Sequence, residues 1–153
     1  MSTTDYKTTV QFAGDEMFIG TTPSGHALVL DTTGDRHSAP TPVELLLVAV
    51  AGCTAADVIS ILQKKRQAVT AYYVEVTAKR RDDHPRAFTH LHVTHIVHGR
   101  SVSAKAVADA VQLSDTKYCS VAATVRPTAQ ITTSFEIIEA GDESGGTASG
   151  PTA

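Results

Sequence analysis

The sequence has no long apolar run. The longest, Leu45 to Cys53, falls well short of the ~20 residues that cross a bilayer, which predicts no membrane span. The opening residues, MSTTDYKTTVQF, lack the apolar core of a signal peptide, so a cytoplasmic protein is expected. Basic residues form no extended stripe: KKR at 64–66 and KRR at 79–81 are short, and the net charge is −3. That argues against nucleic acid as a partner. There are only two cysteines, Cys53 and Cys119, and no CxxC, so nothing in the pattern supports a thiolate zinc site. A nucleotide-binding glycine motif and a Ser/His/Asp arrangement are both missing. No metal and no cofactor are expected.

What is present is an ordinary globular composition, 42% apolar and 19% charged, with 153 residues to build a core. Residues 6–12 alternate like a strand, GDEM reads as a turn, and MFIGTT and HALVLD flank a second turn at PSG. Thr41-Pro42-Val43-Glu44 is a capping box with proline at the first helical position. The helix it opens is expected to run to about Arg66, and from Leu45 to Ala56 it is apolar on nearly every side. Residues 69–81 and 86–99 alternate around a turn at Asp82-Asp83-His84-Pro85, with Val74, Val76 and Ala78 on the apolar face of the first and Leu91, Val93 and Val97 on that of the second. A second helix is expected from Ser103, with Ala104, Val107, Ala108 and Val111 at helical spacing, and a fresh helix start at Ser114-Asp115. Residues 128–138 read as a last strand.

This order predicts an α+β fold in one domain, residues 1–138, followed by a Gly-, Ser- and Thr-rich tail, 139–153, expected to be disordered. One small sheet covers at most one side of the apolar helix. A homodimer with that helix near its interface is therefore expected.

The residues leave the cysteines open. Free cysteine is most often core packing. Cys119, near a helix start and Lys117, has features that stabilise a thiolate, whereas Asp57, one turn after Cys53, opposes one there. His90, His92 and His98 share a strand face with no carboxylate or thiolate to complete a metal set, while His95 points the other way.

The stretches TPVELLLVAVAGCTAADVISILQKKRQAVT, YCSVAATV and SGHALVLDTTGD resemble the OsmC/Ohr family of thiol peroxidases, and the resemblance runs from about residue 6 to 138. It implies an OsmC-like fold: antiparallel sheets around two central helices in an intertwined homodimer. It also implies that Cys53 attacks an organic hydroperoxide, that Cys119 resolves the product to a disulfide, and that an external dithiol reduces it. The family sets a glutamate directly after the helix-start proline and an arginine on the N-terminal hairpin. Here Val43 follows Pro42 and Glu44 comes one residue late. At about 100° per residue, Glu44 lies across the helix from Cys53, which favours its capping role. The first arginine is Arg36, in the loop before the helix, and it is the candidate replacement. The alternative is a non-catalytic protein of the same fold that binds a hydrophobic small molecule or senses oxidants stoichiometrically.

Overall fold

The computed structural model describes residues 5–141, and the chain divides into two compact units, residues up to Val48 and residues from Ala49 onward. The first unit is a three-stranded antiparallel sheet of β1 (Thr9–Gly14), β2 (Met17–Thr21) and β3 (Ala27–Asp31). The β1–β2 turn needs left-handed backbone at Gly14, Asp15 and Glu16, where glycine and aspartate are favourable. Opposed Phe12 and Phe18 pack with ring centroids 5.6 Å apart.

Helix α1 (Pro42–Lys64) starts where its capping box requires. The Thr41 backbone N–H donates to Glu44 Oε2 at 2.7 Å, and the Glu44 N–H to Thr41 Oγ1 at 3.3 Å. In contrast to the run-length expectation, α1 is long and apolar enough to cross a membrane, by length and composition alone. Its buried stripe of Val50, Thr54, Val58 and Leu62, four residues apart, instead marks a helix packed into a core. Leu46 and Val48 remain exposed.

The second unit holds a sheet in the order β4 (Ala68–Arg80), β5 (Phe88–Arg100), β6 (Gln130–Glu139). The first pair is an antiparallel hairpin in the expected position. The expectation of antiparallel sheets fails at β6, which runs parallel to β5. The reason is the connection: helices fill the segment between these strands, and such a crossover returns the chain in the same direction. Strand β6 also continues one residue beyond the expected limit, and the Ala140 N–H donates to the Gly99 carbonyl at 2.8 Å. The remainder of the expected tail, 142–153, lies outside the described residues.

Helix α2 (Ala104–Leu113) begins at Ser103, whose Oγ accepts from the Ala106 N–H. Its buried stripe is Ala106, Val107, Ala110 and Val111, so Ala104 and Ala108 are not part of it. These side chains pack on Val58, Leu62 and Val97 to form the core of this unit. No fresh helix starts at Ser114: α2 runs on into a π-helical turn, Ser114–Tyr118, and a short helix α3, Ser120–Val125, follows.

Candidate functional site

Cys53 and Asp57 stand one turn apart on α1, and i,i+4 side chains share a helix face. Cys119 approaches from the other end of the crossover. In the π-helical turn the Cys119 N–H bonds to the Ser114 carbonyl at 2.9 Å, five residues back, and the chain then breaks so that Cys119 becomes the N-cap of α3. The result is a cluster: the two Sγ atoms and a carboxylate oxygen of Asp57 all lie within 4.8 Å of one another. Both cysteines are free, Cys53 half-buried and Cys119 buried.

Hydroxyls tie the cluster to the core. Ser114, fully buried, donates to Asp57 Oδ2 at 2.9 Å and shares a hydrogen bond of 2.8 Å with Thr54 Oγ1. By its sequence context Ser114 reads as a helix start. Its inward position follows from the wider π turn, which leaves no mark in an apolar repeat.

Burial decides the chemistry of Cys119. Burial first, and then the neighbouring Cys53 and Asp57, push its thiol up to about 11, although the Ala122 N–H donates to its sulfur. The helix start that favoured a thiolate in sequence is present, but it loses to desolvation. Lys117, the expected ammonium partner, lies over the Tyr118 ring, 5.3 Å from its centroid.

Arg36 and Glu44 have other partners in the first unit. Arg36 pairs with Asp31 at 3.0 Å and also with Asp15. The Arg36 guanidinium, with Ser38 and Thr33, holds the Asp31 carboxyl far below the usual carboxylate range. Glu44 caps Thr41, whose backbone N–H and hydroxyl lower its pKa. Arg36 thus braces the loop after β3, and Glu44 the start of α1.

The histidines divide as expected. His92 bonds to Thr132 and Ser134 across β6, His90 to Thr89, and His98 meets the Tyr73 ring edge-on. His95 faces the core, fully buried, with Nδ1 hydrogen-bonded at 2.6 Å to the Tyr72 hydroxyl and Nε2 without a partner among the described residues. The pairing was legible in principle, because Tyr72 and His95 share the faces of Val74 and Val93 and are diagonal neighbours in the β4–β5 register. Burial, and next the Asp57 charge, push the Tyr72 phenol up. Burial pulls His95 down to about 4, against the opposing pull of Asp115.

A pH dependence of stability follows. His95 is held neutral in the fold, so its contribution is complete above the unfolded value of about 6.5 and is lost as pH falls toward 4. From pH 7 to pH 5 the loss is roughly 2 kcal/mol. Denaturant titrations of wild type and His95→Gln over that interval measure it. The variant is expected to flatten the slope, and equal slopes would assign the acid sensitivity elsewhere.

The family model described as OsmC-like protein matches residues 33–134. Protein YhfA of Escherichia coli K12 is 47% identical over 124 residues, 80% of this chain and 91% of that protein. A hypothetical protein from Aquifex aeolicus VF5 is similar in structure, with a TM-score of 0.81 at 30% identity, over 90% of this chain and 99% of that one. An organic hydroperoxide resistance protein OsmC from Legionella pneumophila shares the fold at 14% identity, with a TM-score of 0.63 over 88% of this chain and 98% of its own.

Proposed function

Since this chain belongs to the OsmC-like family, we propose that it is a thiol-dependent peroxidase acting on organic hydroperoxides. The observation that carries this reading is the approach of a half-buried thiol, Cys53, to a buried one, Cys119, within 4.8 Å. A peroxidatic cysteine has to meet its oxidant, and a resolving cysteine has to meet only the first sulfur. The exposures of the two residues match those roles.

In the proposed cycle the Cys53 thiolate attacks the terminal peroxide oxygen. The O–O bond breaks, the alcohol leaves after taking up a proton, and Cys53 becomes a sulfenic acid. The sulfur of Cys119 then attacks that of Cys53, the S–O bond breaks, and water leaves as the disulfide forms. An external dithiol supplies two electrons and two protons to restore both thiols. The exposed apolar residues that flank Cys53 on α1, Ala49 and Ala56, favour alkyl over hydrogen peroxide, because each buried CH₂ contributes about 0.8 kcal/mol.

Stoichiometric sensing is the second reading. Asp57 beside both thiols favours it, since a carboxylate there opposes the charged nucleophile. Turnover separates the two: a peroxidase consumes cumene hydroperoxide continuously while dithiothreitol is present, and faster than hydrogen peroxide. A sensor is oxidised once per reduction and shows no sustained consumption.

The exposed apolar side chains Leu46 and Val48 on α1, with Val10, Phe12 and Val29 on the first sheet, support the homodimer expected from the sequence. Light scattering is expected to give twice the chain mass. The mass of one chain would contradict it.

A further inference from the structure

The same cluster meets the requirements of a second chemistry that involves no peroxide. Among the described residues, Cys53, Asp57 and Cys119 form the one group of three His, Cys, Asp or Glu side chains close enough to share an ion. The histidines of β5, which first suggest a metal in the sequence, form no such group. They are spent on Thr89, Thr132, Ser134 and an aromatic edge.

We propose that the reduced protein binds Zn²⁺ through the two sulfurs and the Asp57 carboxylate, with the fourth position left to solvent. Tetrahedral zinc with Zn–S bonds of about 2.3 Å places two sulfurs about 3.8 Å apart. The ligand atoms lie within 4.8 Å of one another, so the sulfurs need to close by roughly an ångström at most.

Three features of the surroundings fit an ion. Ser114 donates to one carboxylate oxygen of Asp57 and is itself bonded to Thr54, which is the outer-shell support that ligating carboxylates receive. Among the described residues Asp57 joins no ion pair, so the acidic groups crowd together with no cation to offset them. Cys53 and Asp57 are half-buried, which leaves a path for entry.

The donor set selects the metal. Two thiolates exclude Mg²⁺ and Ca²⁺, which take oxygen ligands, and a carboxylate with two sulfurs suits a borderline-soft d¹⁰ ion. The sequence could not suggest the site, because its ligands come from an i,i+4 pair and a third residue far along the chain rather than from a CxxC. Loss of peroxidase activity would leave this proposal standing, and the reverse also holds, since no peroxide enters the test.

The test titrates the reduced full-length protein, stripped of metal by a chelator, with Co²⁺ as a spectroscopic probe and then with Zn²⁺. One Co²⁺ per chain is expected, with an intense sulfur-to-cobalt charge-transfer band that Zn²⁺ abolishes. Against a chromophoric chelator, Cys53→Ser should lose about 100-fold or more in Zn²⁺ affinity. Asp57→Asn should lose about tenfold while keeping the band, and circular dichroism confirms that each variant is folded. The disulfide form should bind neither ion. Wild-type protein without the band, or Zn²⁺ affinity unchanged in Cys53→Ser, would overturn the proposal.

Discussion

Replacing Cys53 by serine is expected to lower dithiol-dependent reduction of cumene hydroperoxide by at least about 1,000-fold, the scale on which removal of a covalent nucleophile acts. A serine hydroxyl stays protonated at neutral pH and cannot take the peroxide oxygen in a two-electron step. The neighbouring thiol cannot take over the role, because Cys119 is buried and its thiol is pushed up to about 11. Cys119→Ser should behave differently. Its first reaction with peroxide should keep a rate near that of wild type and halt at the Cys53 sulfenic acid, since no second sulfur is present to expel water. Turnover then depends on the external dithiol attacking the sulfenic acid directly. Stopped-flow peroxide consumption separates the two variants. Equal losses in the burst phase would mean that the roles are not divided in this way.

The second large effect concerns stability and arises at Gly99, near the end of β5. A Cβ added there would lie 2.4 Å from the Ala68 carbonyl oxygen and 2.4 Å from Val102 Cγ2. The first contact is with backbone paired in the sheet, so no side-chain rotation relieves it. The second presses on Val102, which packs against the core cluster just ahead of the Ser103 cap. The Gly99 carbonyl also receives the Ala140 N–H at the end of β6, so the strain spreads to both neighbouring strands. Gly99→Ala is expected to cost about 3 kcal/mol, the upper part of the range for overpacking, and thermal or denaturant unfolding measures it. A variant as stable as wild type would mean that the β4–β5 end relaxes freely. Replacement of Gly52, whose Cβ would meet nothing within 4 Å, provides the steric control.

Most of the fold could be read from residue patterns because local chemistry decides it. The capping box fixed the start of α1, the alternation of Val74, Val76, Leu91, Val93 and Val97 fixed the hairpin, and Ser103 fixed α2. Three features were not legible. The direction of β6 is a property of its connection, and its own residues carry no trace of it. The π turn at Ser114–Tyr118 inserts an extra residue in the helical path without altering the apolar repeat, so the inward position of Ser114 was hidden. The apolar content of α1 is spread over the whole helix and is interrupted only by single polar residues, so counting an unbroken run understated it.

The candidate site was half legible. Cys53 and Asp57 share a helix face by spacing alone, but their meeting with Cys119 spans the whole second sheet hairpin and α2, and only the resemblance to a family brought the two cysteines together in advance. The same distance hid the contest at Cys119. In sequence its helix start and Lys117 argue for a thiolate, whereas in the fold burial prevails and Lys117 lies over Tyr118. Arg36 shows the reverse situation: its position ahead of α1 invites a role in activating Cys53, while it pairs with Asp31 and Asp15. The bond of Glu44 to Thr41 is the capping role its spacing favours.

The most direct measurement is intact mass with a free-thiol count after one equivalent of cumene hydroperoxide, on wild type, Cys53→Ser and Cys119→Ser. A peroxidatic Cys53 resolved by Cys119 predicts that folded wild type loses both thiols and two hydrogens. Cys119→Ser should gain one oxygen at Cys53, and Cys53→Ser should remain unchanged. Two thiols surviving the oxidant in folded wild type would contradict it, and would leave Cys53 as packing.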